Sequence, residues 1–176
     1  VPILWAIRID GQLLGMTYEV KENVFAWFRV VTDGLFESVA VISKDNAEDQ
    51  VWVTVKRTVN TETRRYVEYF MPHELFGVIG DSFFVHSGLT YDSTLTSTIS
   101  GLYHLEGKVV DVLGDGLAQT QKTVTGGSIT LATAASKVHV GLPCPAIVEP
   151  MKVVSSNNRG QKQKVNRLTT CFYQTG

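Results

Sequence analysis

Cysteine, net charge, long apolar runs and helical periodicity are all scarce in this sequence, and each scarcity excludes a class of protein. Its two cysteines, Cys144 and Cys171, lie far apart at no metal-ligand spacing, so no disulfide framework is implied and both are expected as free, buried thiols. The 17 acidic and 16 basic residues nearly cancel, leaving a formal net charge of −1; indiscriminate attraction to polyanions is not expected of such a balance. No segment reaches the roughly 18 consecutive apolar residues of a membrane helix. The opening Val1-Pro2-Ile3-Leu4 also lacks the charged start and long apolar core of a signal peptide, so no membrane span and no leader is expected. Helix is nearly missing too, its only candidates being single turns near 101–105 and 133–136.

What is present is an ordinary globular composition, 44% hydrophobic and 19% charged, in a chain long enough to bury a core without staples. Strand-like sequence starts almost at residue 1, with no initiator Met, which suggests a piece of a longer polypeptide.

Residues 3–70 read as an antiparallel series of six strands, at 3–9, 12–18, 24–31, 36–43, 51–57 and 64–70. In the first, Ile3, Trp5, Ile7 and Ile9 share a face; in the fifth, Val51, Val53 and Val55 alternate strictly inward. Asp10-Gly11 and Asp33-Gly34 are tight-turn signals, the first of the two-residue type I′ kind that needs positive φ at both positions. Two loosely similar hairpins, around Leu4-Trp5-Ala6-Ile7-Arg8 and Val51-Trp52-Val53-Thr54-Val55, suggest either a propeller-blade-like meander or an open sheet. A self-contained barrel or sandwich is the rival.

Pro72 interrupts strand pairing. After it, short strands are expected at 83–86, 89–91, 97–99, 108–113, 122–124, 128–131 and 137–142, with turns at Asp115-Gly116 and Gly126-Gly127. That recurrence is the spacing of a small β-barrel or sandwich. The expected class is therefore all-β, with an antiparallel meander over 1–72 and a small β-barrel-like domain over 80–143. Residues 146–176 would return to the first unit as two strands, 147–155 and 165–173, joined by a basic connection.

Few residues carry a chemical signal. The four histidines show none of the i, i+2 or i, i+4 pairings that metal sites favour. His104 is expected to bond to nearby backbone, and His139 to take a surface or half-buried strand position. Asp81, Asp92, Glu106, Asp111 and Asp115 could supply the two acids of a glycosidase, yet several stand beside glycine or serine, where aspartate makes turns. Ser87 lacks a nucleophile elbow, and Gly126-Gly127 lacks the continuation of a phosphate loop. No catalytic residue, cofactor or metal ligand is assigned. Arg159, Lys162, Lys164 and Arg167 form a candidate DNA-contacting cluster, since flexible cations gain salt-sensitive affinity for phosphate. Trp52, Tyr91 and Tyr103, read as exposed, are candidates for surface or glycan contact.

The ordered motifs Leu4-Trp5-Ala6-Ile7-Arg8-Ile9-Asp10-Gly11-Gln12-Leu13-Leu14-Gly15, Val24-Phe25-Ala26-Trp27, Arg64-Arg65-Tyr66-Val67-Glu68, Ser87-Gly88-Leu89-Thr90-Tyr91-Asp92, Gly101-Leu102-Tyr103-His104-Leu105-Glu106-Gly107 and Lys137-Val138-His139-Val140-Gly141-Leu142-Pro143 resemble the tail tube or nozzle proteins of short-tailed bacteriophages. The sequence departs from that pattern at Trp27-Phe28-Arg29 and at Cys144-Pro145-Ala146. The second half also resembles, in fold only, the small β-domain of ubiquitin-activating enzymes. The tail resemblance implies a non-catalytic virion protein, made in the host bacterial cytoplasm. Its full-length parent would form a homo-oligomeric ring on the DNA-ejection conduit, touching other tail proteins and, non-specifically, DNA. The alternative from another class is a carbohydrate-directed host-surface binding module or depolymerase.

Overall fold

Runs of β-branched and aromatic residues broken by Asn, Asp and Gly should give short antiparallel strands, and they do. The computed structural model describes residues 2–44, 48–72 and 78–145, together with Ile147 and Thr169. These contain ten strands: β1 (Ile3–Ile7), β2 (Leu13–Glu19), β3 (Val24–Val30), β4 (Leu35–Ile42), β5 (Gln50–Val59), β6 (Glu62–Tyr69), β7 (Val85–Ser100), β8 (Val109–Gly114), β9 (Leu117–Thr123) and β10 (Ser128–Pro143). Every ladder is antiparallel. Among the described residues there is no α-helix, only single 3-10 turns at Ile79–Asp81 and Tyr103–Leu105. The strands and basic connection expected beyond residue 146 lie outside the described residues, apart from Ile147 and Thr169.

The meander forms two open three-stranded sheets, β1-β2-β3 and β4-β5-β6. Trp5, Ile7, Leu13 and Val30 from the first meet Phe36, Val39, Val51, Val53 and Val55 from the second in one core, closed by Phe70. The inward parity of Val51, Val53 and Val55 is as expected; Ile9 instead lies in a turn, fully exposed. The other unit is a four-stranded sheet in the order β7-β10-β8-β9, with its own core of Ile99, Leu102, Leu105, Val110, Val112, Val124 and Val138 among others. Its edge strands β7 and β9 do not pair, so the sheet is not closed into a barrel.

Several local expectations change. Asp10-Gly11 is not a two-residue type I′ turn, because Gly11 alone has positive φ, +80°. Arg8 N–H donates to Gln12 O and Gly11 N–H to Arg8 O, each at 2.9 Å, which makes a longer loop closed by a left-handed glycine. The loop docks on the second sheet, where Phe36 N–H donates to Gly11 O at 2.8 Å. Asp33-Gly34 closes no hairpin either; it carries the chain from one sheet to the other. The positive-φ pairs are Asn60-Thr61, Asp115-Gly116 and Gly126-Gly127.

The short strands expected at 89–91 and 97–99, with the second half of 83–86, merge into β7, which starts at Val85, and those at 128–131 and 137–142 into β10, each 16 residues long; Phe83 and Phe84 precede the strand. The single turn expected at 133–136 is a bulged stretch of β10, with register shifts between Thr130 and Lys137. The side chain of Gln119 makes this affordable: its Oε1 accepts from Ala132 N–H at 3.0 Å and Thr133 N–H at 3.2 Å, and its Nε2 donates to Thr133 O at 2.9 Å. Backbone groups freed by the bulge are thus satisfied without helix.

Thr61 sits at φ +66° in the β5–β6 turn, a conformation that a β-branched residue adopts only under strain. Thr61→Gly creates the favoured Asn-Gly pair and should stabilise the chain by about 1 kcal/mol, read as a raised denaturation midpoint with unchanged m-value.

Candidate functional site

The acids of the second unit that the sequence singled out, with His104 and His139, are engaged by backbone groups or by neighbouring side chains. The Glu106 carboxylate accepts from Gly126 N–H at 2.9 Å and Gly127 N–H at 2.7 Å, fastening the β9–β10 turn to the 3-10 turn. Asp115 accepts from Lys137 N–H at 2.8 Å and from Ser136 N–H. Asp111 accepts from Gln121 Nε2 at 2.8 Å, and Asp81 and Asp92 both face the Lys137 ammonium. His104 Nε2 lies 2.8 Å from Ser87 O, a backbone partner as expected but a distant one in sequence. His139 is not at the surface: it is 5% exposed, with Nε2 2.9 Å from Gly80 O and Nδ1 2.8 Å from the Thr90 hydroxyl. Because a carbonyl only accepts, Nε2 donates to Gly80 O. His139 lies at the parity opposite to the core residues Val138 and Val140, in an unbroken stretch of register, and is buried because Gly80 O and the Phe83 ring, 5.4 Å away, cover that face. Among the described residues no cluster of His, Cys, Asp and Glu could hold a metal ion.

A polar cluster that the sequence did not reveal lies where the two units meet. Arg57 is 2% exposed. Its Nε and Nη2 donate to the Glu68 carboxylate at 2.9 and 2.8 Å, and its Nη1 donates to Thr32 Oγ1 at 2.8 Å and to Asp33 O. Across the junction Lys108 Nζ pairs with Asp33 at 2.7 Å, and the Tyr66 and His104 rings meet edge-on at 6.4 Å. His86, beside these groups, has a buried Nε2 with no hydrogen-bond partner among the described residues. Burial lowers its imidazole below the ordinary value, the Arg57 guanidinium lowers it further, and Glu68 opposes both.

The aromatic candidates do not converge. Trp52 is half-buried on the outer side of β5, its ring 5.1 Å from Tyr69 and its Nε1 donating to Gln50 at 3.1 Å. Tyr91 is half-buried against the second core, with its hydroxyl donating to Thr94 O at 2.7 Å. Tyr103 alone is exposed, at 72%, on the 3-10 turn. Arg159, Lys162, Lys164 and Arg167 lie outside the described residues, as does Cys171; Cys144 is exposed rather than buried.

The largest unassigned feature is the outer face of β1-β2-β3. Register places Leu4, Met16 and Trp27 in one row, Ala6, Leu14 and Arg29 in the next, and Tyr18 beside Phe25 in a third. Leu4, Tyr18, Phe25 and Trp27 are exposed, and an apolar depression lined by Pro2, Ile3, Leu4, Met16 and Tyr18 opens there. The signal was in the sequence: a sheet with one wet face alternates apolar with polar, whereas Leu4-Trp5-Ala6-Ile7 and Val24-Phe25-Ala26-Trp27-Phe28 are apolar at both parities. No known protein-family model matches the chain, and no curated protein matches it in sequence.

Two outcomes are expected of the junction. Glu68→Leu leaves the Arg57 charge buried without its counter-ion and should cost about 3 kcal/mol in a denaturant titration. Keeping His86 neutral contributes stability that is fully present above the ordinary imidazole value of 6.5. It is lost as pH falls from there through the folded-state value, because the unfolded ring binds a proton that the folded one resists. His86→Phe should therefore flatten the fall in thermal midpoint between about pH 7.5 and pH 5.5, where imidazoles titrate. An equally steep fall in both proteins would overturn this.

Proposed function

We propose that the chain is a structural part of a short-tailed phage tail protein of the tube or nozzle type, built into a ring on the DNA-ejection conduit of the virion. The observation that carries this reading is the apolar outer face of β1-β2-β3, where Leu4, Tyr18, Phe25 and Trp27 are exposed together. Contiguous apolar surface of this kind is what subunits bury on assembly. The role of the acids supports it further, since Glu106, Asp111 and Asp115 are spent on holding turns and strands, which suits a rigid part more than a reaction. Arg159, Lys162, Lys164 and Arg167 remain the candidate contacts to passing DNA, and neighbouring tail proteins the candidate partners.

A carbohydrate-directed module draws less support. Its aromatic platform would rest on Tyr103, with Trp52 and Tyr91 each engaged in local packing.

Electron microscopy of the full-length parent with the other tail components tests the proposal. A closed ring in which β1-β2-β3 lies at a subunit boundary is the expected result. A lone monomer that associates with no tail component would sink it.

A further inference from the structure

The free edge of β3 says more about what the apolar face can meet. Among the described residues β3 pairs on one side only, with β2. Soluble proteins usually guard such an edge with lysine, proline, a bulge or an inward charge. β3 is Val24-Phe25-Ala26-Trp27-Phe28-Arg29-Val30, seven residues with an unbroken register to β2 and one charge. Six of the seven are exposed.

We propose that two copies of this chain join through their β3 strands, paired antiparallel about a two-fold axis at Trp27, to make one continuous six-stranded sheet. The partner is a second copy because β3 complements itself in the one register that uses the whole strand. There Val24 faces Val30, Phe25 faces Arg29, Ala26 faces Phe28 and Trp27 faces its own counterpart. The only cation of the strand thus meets an aromatic ring, twice, and never another cation. The smallest side chain opposes a large one, and the central aromatic pair falls on the apolar outer face, where cross-strand pairs stabilise a sheet. A two-fold contact is isologous, with the same patch on both copies. It therefore differs from the heterologous contact that closes a ring, and it stands or falls apart from the tail reading.

Sedimentation velocity of the 176-residue chain over a range of concentrations tests the contact, with two variants of opposite charge at one position. Phe25→Lys sets a lysine against Arg29 twice and should leave only monomer. Phe25→Glu removes the same aromatic surface but sets a carboxylate against Arg29 twice, and should keep the dimer. Circular dichroism checks that both variants fold, as exposed edge substitutions should. A parent chain that stays monomeric at its highest soluble concentration overturns the proposal. So does formation of larger species in place of a dimer, or equal weakening by Phe25→Lys and Phe25→Glu, which would mean apolar adhesion without this register. A dimer found for a chain whose parent shows no link to tail components would uphold the contact and sink the tail reading.

Discussion

The Arg57 guanidinium is the tie on which the arrangement of sheets depends. When the chain leaves β3 and starts β4 in the other sheet, the Thr32-Asp33 link turns a backbone carbonyl inward with no ladder partner, and an unsatisfied buried carbonyl is costly. Arg57 supplies the missing donor to Asp33 O, adds one to Thr32 Oγ1, and has its charge met by a two-pronged contact with Glu68. One side chain on the central strand β5 thereby ties the crossover to the edge strand β6. Lysine has neither the donor count nor the planar fork for this task. The same fixed charge is felt across the junction, where it weighs against a proton on His86.

In the second unit the corresponding work falls to carboxylates and amides. β10 runs for 16 residues with three breaks of register, and each break frees backbone groups that must find partners. Asp115 and Gln119, both on the β8–β9 hairpin or its turn, reach across to the irregular part of β10, while Glu106 clasps the turn that precedes it. These side chains substitute for ladder hydrogen bonds. A carboxylate committed to two backbone N–H groups is held where it is and shapes the sheet around it.

Legibility in the sequence followed the range of the interactions concerned. Strand positions in residues 1–70 were readable because β-branched runs and polar turns are local signals, and parity alone put Val53 and Val55 inside. The same parity carries on to Arg57, but residue type argues against burying a cation. Only Glu68, 11 residues further along and facing the same interior, reconciles the two. Asp10-Gly11 was misread because its geometry answers to a contact with Phe36 in another sheet. The long strands β7 and β10 were read as fragments because the bulges that unite them depend on Gln119 and Asp115, whose reach across strands leaves no local pattern. His139 went astray because the groups that cover it, Gly80 O and the Phe83 ring, come from far off in the sequence. The doubly apolar strands around Trp5 and Trp27 were open to inspection, and their meaning lay in what period-2 alternation they lacked.

These features divide the labour of the side chains in an unusual way. Charged and amide groups turn toward the backbone and secure crossovers, bulges and turns, while Leu4, Tyr18, Phe25 and Trp27 face outward. A chain selected only to stay folded and dispersed would gain from the reverse, since charge on an outer sheet face deters association at little cost to stability. Polar clamps stiffen each unit, and stiffness lowers the ordering cost of any contact that buries an exposed apolar face. The outer face of β1-β2-β3 carries Leu4, Tyr18, Phe25 and Trp27 with Arg29 among them, and the Arg57 tie secures the crossover that joins this sheet to the second one.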